Sequence, residues 1–209
     1  MKKFFKKKIK NFLGINKLEE INEKNIFLSG KNLINNNFKE FPDIIEKHEV
    51  KIFSQSGEDG IIQFILSKIK TKNKSFVEFG CENYLESNTR YLLFNNDWKG
   101  LLIDGDIENI KEIKESYYFW KHELTAICSF IDKENIKEII HNHGFDKNLG
   151  ILSIDIDGND YWILKELKDI AADIIICEYN SLLGKEQSLT LKYIKNFRRE
   201  NNSRNKVNY

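Results

Sequence analysis

The sequence predicts an α/β fold with a mostly parallel central sheet. Between residues 51 and 178, short apolar segments alternate five times with amphipathic segments of helical spacing. The apolar segments are continuous runs, which is typical of strands that are buried on both faces. Strands of this kind, separated by helices, form parallel sheets that are covered by helices.

The strands and helices can be assigned along this part of the chain. The strands are predicted at residues 75–80, 100–104, 122–128, 149–155 and 173–178. The helices are predicted at residues 58–70, 87–95, 107–116, 132–143 and 159–167. Gly144 follows the fourth of these helices, at the position where a glycine commonly ends a helix.

The composition is that of a globular protein, with 209 residues of which 31% are charged and 41% hydrophobic. We expect residues 51–209 to form the α/β domain and residues 1–50 to form a basic, helical extension before it. Residues 1–17 contain seven lysines and no acid, so the remainder is net acidic although the whole chain carries +1. An acidic body argues against a nucleic-acid partner. Three scattered cysteines indicate neither disulfides nor a metal site and suit a reducing cytoplasm.

The first seventeen residues combine lysines with apolar residues at helical spacing, namely Phe5, Ile9, Phe12 and Leu13. Two interpretations are open, since the apolar side can pack against the protein or lie on an anionic membrane surface. Lysines interrupt the apolar residues, so no signal peptide is indicated. No apolar run is long enough to span a membrane. We expect a cytoplasmic protein. If the apolar side lies on an anionic membrane surface, the protein is bound at the inner face of the membrane.

Most of the predicted strands end in an acidic residue, and these residues are Glu78, Asp104, Asp155 and Glu178. The carboxyl ends of parallel strands lie at one edge of the sheet, where open α/β sheets bind their ligands. We therefore expect the four carboxylates to face one crevice. Burial in a sheet gives strands no reason to end repeatedly in Asp or Glu, so this pattern indicates function.

Gly80, after the first predicted strand, is what remains of the glycine-rich turn that binds dinucleotides. The other glycines that would surround a pyrophosphate are absent, which argues against NAD or FAD. Asp104 lies 24 residues later, where an acid commonly accepts hydrogen bonds from ribose hydroxyls. Together these residues favour a nucleoside without a diphosphate, such as S-adenosylmethionine, whose sulfonium is positively charged. The alternative is that Glu78 and Asp104 only cap neighbouring backbone.

Asp155 and Asp157 alternate with isoleucines, so their carboxylates lie on one side of an extended segment. Together with Glu178 they can hold a divalent cation, accept a proton or bind an amino group, and the sequence leaves these alternatives open. His141 and His143 lie at the end of a predicted helix and are expected to stabilise that end rather than to bind metal.

Several segments, in their order and spacing, resemble the FkbM-type S-adenosylmethionine-dependent methyltransferases. They are Ser54-Gln55-Ser56-Gly57-Glu58-Asp59, residues 76–80 continuing through Ser87-Asn88-Thr89 to residues 98–104, residues 152–160, and Cys177-Glu178-Tyr179-Asn180. The resemblance covers about residues 51–184, and the first segment is its most specific part. It implies a Rossmann-like class I methyltransferase fold. It also implies methylation of a hydroxyl group on a sugar, or on an acceptor linked to surface polysaccharide in a bacterium.

The resemblance also implies roles for individual residues. Asp157, Glu178 and Asn180 would face the acceptor, with Asp157 or Glu178 as the base and His143 as a further candidate. Asp104 would hold the ribose, Thr125 would lie near the adenine, and Asp155 would face the cofactor amino group or the acceptor. The implied cofactor-binding residues are Gln55, Gly57, Glu58, Glu78, Gly80, Ser87, Asn88, Asp104, Thr125 and Asp155.

The sequence departs from the family pattern at its end. The methyltransferase sheet usually has two more strands after the fifth, whereas 25 residues follow Gly184 here. We expect the C-terminal strands to be lacking and the fifth strand to become an exposed apolar edge, which a homodimer could cover. The shortened end motivates a second functional hypothesis, a non-catalytic binding or assembly protein. A nicotinamide oxidoreductase is a third hypothesis, which the missing glycines argue against.

Overall fold

The computed structural model describes residues 15–179, 186, 188–195 and 197. Residues 1–14, with which the predicted basic, helical extension begins, lie outside this part of the chain. The chain divides into two compact units between Ile69 and Lys70. The division predicted after residue 50, where the regular pattern of strands and helices begins, stays a prediction.

The first unit contains helix α1 (Ile15–Glu40), a 3-10 turn (Ile45–His48) and helix α2 (Glu58–Lys68). Its core is built around His48, whose side chain is fully buried. The centroid of the His48 ring lies 4.3 Å from that of Phe64 and 4.9 Å from that of Phe38, with the rings tilted against each other. The His48 Nε2 lies 2.8 Å from the carbonyl oxygen of Phe41. These contacts join both helices to the turn between them.

The second unit contains a parallel sheet of five strands in the order β3-β2-β1-β4-β5. The pairing is parallel throughout. This confirms the predicted α/β class, and the sheet is compatible with a Rossmann-like fold. The predicted strand positions are confirmed to within two residues, and the strands are β1 (Ser75–Phe79), β2 (Lys99–Asp104), β3 (Leu124–Cys128), β4 (Leu149–Ile154) and β5 (Ala172–Cys177).

The predicted helices of the second unit are present, and a short one that the sequence did not indicate is added. The helices are α3 (Arg90–Asn96), α4 (Ile107–Glu115), α5 (Tyr117–Lys121), α6 (Ile136–Asn142) and α7 (Asp160–Glu166), followed by a 3-10 turn (Leu167–Asp169). Apolar residues of β1, β2 and β4 pack against Ile136 and Ile140 of α6 and Ile163 of α7. This core holds the carboxyl ends of the strands in fixed positions.

Strand β5 is the least buried strand of the sheet. It pairs with β4, and Ile175 is 50% exposed. Residues 188–195 and 197 form neither helix nor strand. They pack on the start of α7, where Trp162 Nε1 donates to the Leu191 carbonyl oxygen at 2.8 Å and Asn159 Nδ2 donates to that of Ile194 at 2.9 Å. The predicted exposure of β5 therefore holds among the described residues.

None of the helices in the described part of the chain combines the length and the apolar character that crossing a membrane requires.

Candidate functional site

The strand order places β1 and β4 side by side at the centre of the sheet. The chain runs from β1 towards β3 on one side and from β4 to β5 on the other, so the connections diverge between them. Open α/β sheets bind ligands in the crevice that this divergence creates. The candidate site is therefore the carboxyl edge of β2, β1, β4 and β5, where the predicted acids lie.

Gly80 follows β1 and lies against the end of β4. Its φ of 68° is in the left-handed region, and a Cβ added to it would overlap the carbonyl oxygen of Asp155. Its amide donates to the Ile103 carbonyl oxygen at 3.1 Å, which continues the pairing of β1 with β2. Glycine is thus required here for close backbone packing, while the predicted contact with a cofactor stays a prediction.

Glu78 is the most buried carboxylate of this edge, at 4% exposure. It accepts hydrogen bonds from Ser87 Oγ at 2.6 Å, from Asn88 N at 3.0 Å, and from the amide and hydroxyl of Thr89. The structure therefore brings together Glu78, Ser87 and Asn88. Burial raises the pKa of Glu78, and these hydrogen bonds act in the opposite direction. Glu78 holds the turn before α3, and its contact with a cofactor stays a prediction.

Asp104 ends β2 and is 8% exposed. Its Oδ1 accepts hydrogen bonds from Asp106 N at 2.8 Å and Asn109 Nδ2 at 3.1 Å, and its Oδ2 accepts one from Glu82 N at 2.9 Å. A carboxylate has about four acceptor positions, so the described residues leave one on Oδ2. Asp104 thereby links the loops that follow β1 and β2, and its Oδ2 can accept one further hydrogen bond from a ligand hydroxyl.

Asp155, Asp157 and Glu178 form an acidic cluster at the ends of β4 and β5. Each offers one carboxylate oxygen, and these oxygens lie within 4.8 Å of one another. Partial burial, and after it the charges of Glu178, Asp160 and Asp157, raise the pKa of Asp155 to about 6. The arrangement suits a cation or an exchangeable proton. Exposed acids commonly occur without an ion, so the metal site stays a prediction.

Asp160 organises this cluster and was not among the predicted site residues. Its buried carboxylate accepts hydrogen bonds from the amides of Ile156 and Gly158, both at 2.8 Å. These bonds fold the loop back so that Asp157 adopts a left-handed φ of 63°. The sequence indicated the turn, because Asp157-Gly158 is a pair typical of tight turns, but it did not indicate that Asp160 accepts hydrogen bonds from this turn.

Gln55, Gly57 and Glu58 belong to the first unit. Gly57 precedes α2 with a φ of 109°, and the Glu58 carboxylate accepts a hydrogen bond from Ser56 N at 2.8 Å. The turn is held from inside by Asp59, whose Oδ2 accepts from the amides of residues 52, 53 and 54. Part of this motif therefore has a structural explanation, and the closure of Gln55, Gly57 and Glu58 over a cofactor stays a prediction.

Thr125 was expected at the end of the third strand, and the structure corrects this position. Thr125 is the second residue of β3 and pairs with Leu101, three residues before Asp104. The residue level with Asp104 is Cys128, and Ser129 N donates to the Asp104 carbonyl oxygen at 2.9 Å. The carboxyl edge near an adenine would therefore be formed by Cys128 and Ser129.

Three further residues, His143, Cys81 and Asn180, complete the description of the site. His143 follows α6, six residues before β4 begins, and is thus at the opposite edge of the sheet from the acids; its Nδ1 lies 2.8 Å from the Ile139 carbonyl oxygen. Cys81, which follows Gly80, is buried, and burial raises the pKa of its thiol. Asn180 lies outside the described residues.

Comparison of the sequence with models of protein families and with curated proteins finds no match. The resemblance to FkbM-type methyltransferases accordingly stays a prediction that rests on the motifs.

Substituting Asp155 by Asn tests the electrostatics of the acidic cluster. A carboxyl group whose folded-state pKa exceeds its unfolded value favours the folded state at low pH, and this advantage disappears as pH rises through the folded pKa. With a folded pKa of about 6 against a usual value of 3.8, Asp155 is ionised and repelled by its neighbours at neutral pH. We expect Asp155→Asn to raise the Tm at about pH 8 and to raise it less at about pH 5. Thermal unfolding of both proteins measures this difference, which an equal Tm change at both pH values would contradict.

Proposed function

We propose that the protein is an S-adenosylmethionine-dependent methyltransferase that acts on a hydroxyl group of a sugar or of an acceptor linked to surface polysaccharide. The observation that carries the proposal is the distribution of acids along one edge of the sheet. Asp104 ends β2, and Asp155, Asp157 and Glu178 follow β4 and β5 on the other side of β1. Neighbouring strands are about 4.8 Å apart, so Asp104 and Asp155 are separated by about 10 Å.

The residues present fit the nucleoside part of this cofactor. The acceptor position on Asp104 Oδ2 suits a ribose hydroxyl, which donates well to an ionised carboxylate. The loop after β1 lacks the repeated glycines of a pyrophosphate site, because Gly80 is followed by Cys81, Glu82 and Asn83. A nucleoside without a diphosphate is favoured by this combination.

The acidic cluster fits a positively charged group. Repulsion from Glu178, Asp160 and Asp157 contributes to the raised pKa of Asp155, and a cation within a few ångströms would relieve it. With the ribose held by Asp104, the carboxylates of this cluster would be the residues that hold the sulfonium end of the cofactor. The amino group of the methionine part is a second cation for the same carboxylates.

The residues of the protein would align the acceptor hydroxyl and supply the base that removes its proton. When bound, the cofactor supplies a methyl group whose bond to sulfur breaks as its bond to the acceptor oxygen forms. Asp157 and Glu178 are exposed at the same edge and can hold the acceptor hydroxyl in line with that bond. Asp157 or Glu178 would remove the hydroxyl proton as the base, while Asp155 would face the positive charge of the cofactor.

Calorimetric titration with S-adenosylhomocysteine and with NAD tests the proposal. We expect S-adenosylhomocysteine to bind at least about tenfold more tightly than NAD. Tighter binding of NAD, or no binding of S-adenosylhomocysteine by a folded protein, would contradict the proposal. Binding of S-adenosylhomocysteine without transfer of labelled methyl groups to monosaccharides would favour the non-catalytic alternative.

A further inference from the structure

Helix α1 has two apolar sides, and only one of them packs within the first unit. Gly30 and Ile34 are buried, the Phe27 ring stacks 6.3 Å from that of Phe53, and the Phe38 ring contacts His48. At about 3.6 residues per turn, these residues form one stripe along the helix. The opposite side is exposed, and it carries five large aliphatic side chains that are 44–64% exposed: Leu18, Ile21, Ile26, Leu28 and Leu33.

The exposed side of α1 carries no charge over five turns. On the side of α1 opposite Gly30 and Ile34, the other exposed positions from residue 18 to residue 36 are asparagines and one serine. Glu20 and Lys24 are exposed as well, but they lie on the flank and pair with each other at 2.7 Å. In a chain of which 31% is charged, an uncharged exposed surface of this length is unusual for a side that faces water. Lys17, Lys24 and Lys31 follow one another at intervals of seven residues along its border.

The positive charge of the residues before α1 indicates which kind of partner the exposed side of α1 contacts. Helix α1 itself is neutral, with four lysines and four glutamates, whereas residues 1–10 contain six lysines and no acid. Basic residues adjoining an exposed apolar helix surface are the combination that binds anionic lipids, because the lysines attract the headgroups and the aliphatic side chains enter the interface.

Pairing with a second copy of α1 explains the surface less well. The heptad positions that would form the seam are Leu18, Ile21, Asn25, Leu28 and Asn32, and repeated asparagines destabilise such a seam. In a parallel pair of α1 helices, the lysines of one helix that recur every seven residues would lie opposite asparagines and a serine of the other helix. No ion pairs would then stabilise the pair.

We propose that the exposed side of α1, together with the basic residues before it, binds the surface of an anionic lipid bilayer. This inference is independent of the proposed methyl transfer, since it uses no residue of the candidate site. Binding to a bilayer would bring the protein close to membrane-anchored substrates. It needs no membrane-spanning helix, and the described residues contain none.

Sedimentation of the full chain with lipid vesicles tests the proposal. The vesicles contain phosphatidylglycerol and phosphatidylcholine in equal amounts, and phosphatidylcholine vesicles serve as the neutral reference. Two variants separate the two contributions: Leu18→Gln with Ile21→Gln and Leu28→Gln, and Lys2→Gln with Lys3→Gln and Lys6→Gln. The matched control is Leu85→Gln with Ile107→Gln, which removes two similarly exposed aliphatic side chains of the other unit.

We expect the wild-type protein and the control to sediment with the anionic vesicles and to bind neutral ones at least about tenfold more weakly. Each α1 or lysine variant should lose about tenfold or more in affinity for anionic vesicles, with an unchanged circular dichroism spectrum. Equal binding of wild type and both variants would overturn the proposal. Failure of the wild-type protein to bind vesicles, combined with a dimer that the α1 variant abolishes, would overturn it in favour of a second copy.

Discussion

Replacing Asp104 by Ala is expected to weaken S-adenosylhomocysteine binding by about 100-fold. A hydrogen bond to a charged group contributes about 1.5–3 kcal/mol, and the ribose would lose its charged acceptor. The substitution also removes the group that joins Glu82 N, Asp106 N and Asn109 Nδ2, so the loop after β1 would no longer be held at the ribose. Calorimetric titration of both proteins measures the change.

Asp106→Ala is the matched control for this substitution. Asp106 caps α4 by accepting a hydrogen bond from Glu108 N at 2.8 Å, so its loss should cost about 1 kcal/mol of stability. It should change the affinity for S-adenosylhomocysteine by no more than about twofold. An unchanged affinity in a folded Asp104→Ala protein would show that Asp104 does not hold the ribose.

Replacing Glu78 by Ala is expected to lower the free energy of unfolding by about 3–5 kcal/mol. The substitution leaves Ser87 Oγ, Asn88 N and both donors of Thr89 without the carboxylate that accepts from them. Each buried donor without a partner costs about 1–3 kcal/mol. The Tyr84 hydroxyl lies 3.1 Å from Thr89 Oγ1, so the loss extends into the core. Urea denaturation measures the change.

Two further variants define the reason for this loss. Glu78→Gln retains one accepting oxygen and removes the cost of burying a charge, so we expect it to be less destabilising than Glu78→Ala. Glu82→Ala removes an exposed carboxylate from the same loop and should change stability by less than about 0.5 kcal/mol. If Glu78→Ala were as stable as Glu82→Ala, the hydrogen bonds of Glu78 would not hold this turn.

The strands of the second unit could be predicted from the sequence because each is a continuous apolar run that is bounded by polar residues. That the acids lie along one edge also followed from the sequence, since parallel strands end on the same side. The beginnings of two helices could not be predicted. Helix α3 begins at Arg90 because residues 87–89 turn towards Glu78, and α6 begins at Ile136 because Asp132 accepts from the amides of Glu134 and Asn135.

The position of Thr125 shows why the depth of a residue in the sheet was not predictable. Its distance from the carboxyl edge depends on the register of β3 against β2, which pairs Thr125 with Leu101. Sequence spacing does not fix that register. The hydrogen bonds of Glu78 and Asp104 depend in the same way on loops that return from residues distant in sequence. These contacts explain part of the acidic pattern by structure, as the alternative interpretation of the sequence required.

The central claim is that the crevice at the ends of β2, β1 and β4 binds a nucleoside whose ribose lies on Asp104. A crystal structure of the protein with S-adenosylhomocysteine tests it most directly. We expect a ribose hydroxyl oxygen at about 2.6–3.0 Å from the carboxylate of Asp104, with the sulfur directed towards Asp155. A nucleoside bound elsewhere, or a ribose without contact to Asp104, would contradict the claim.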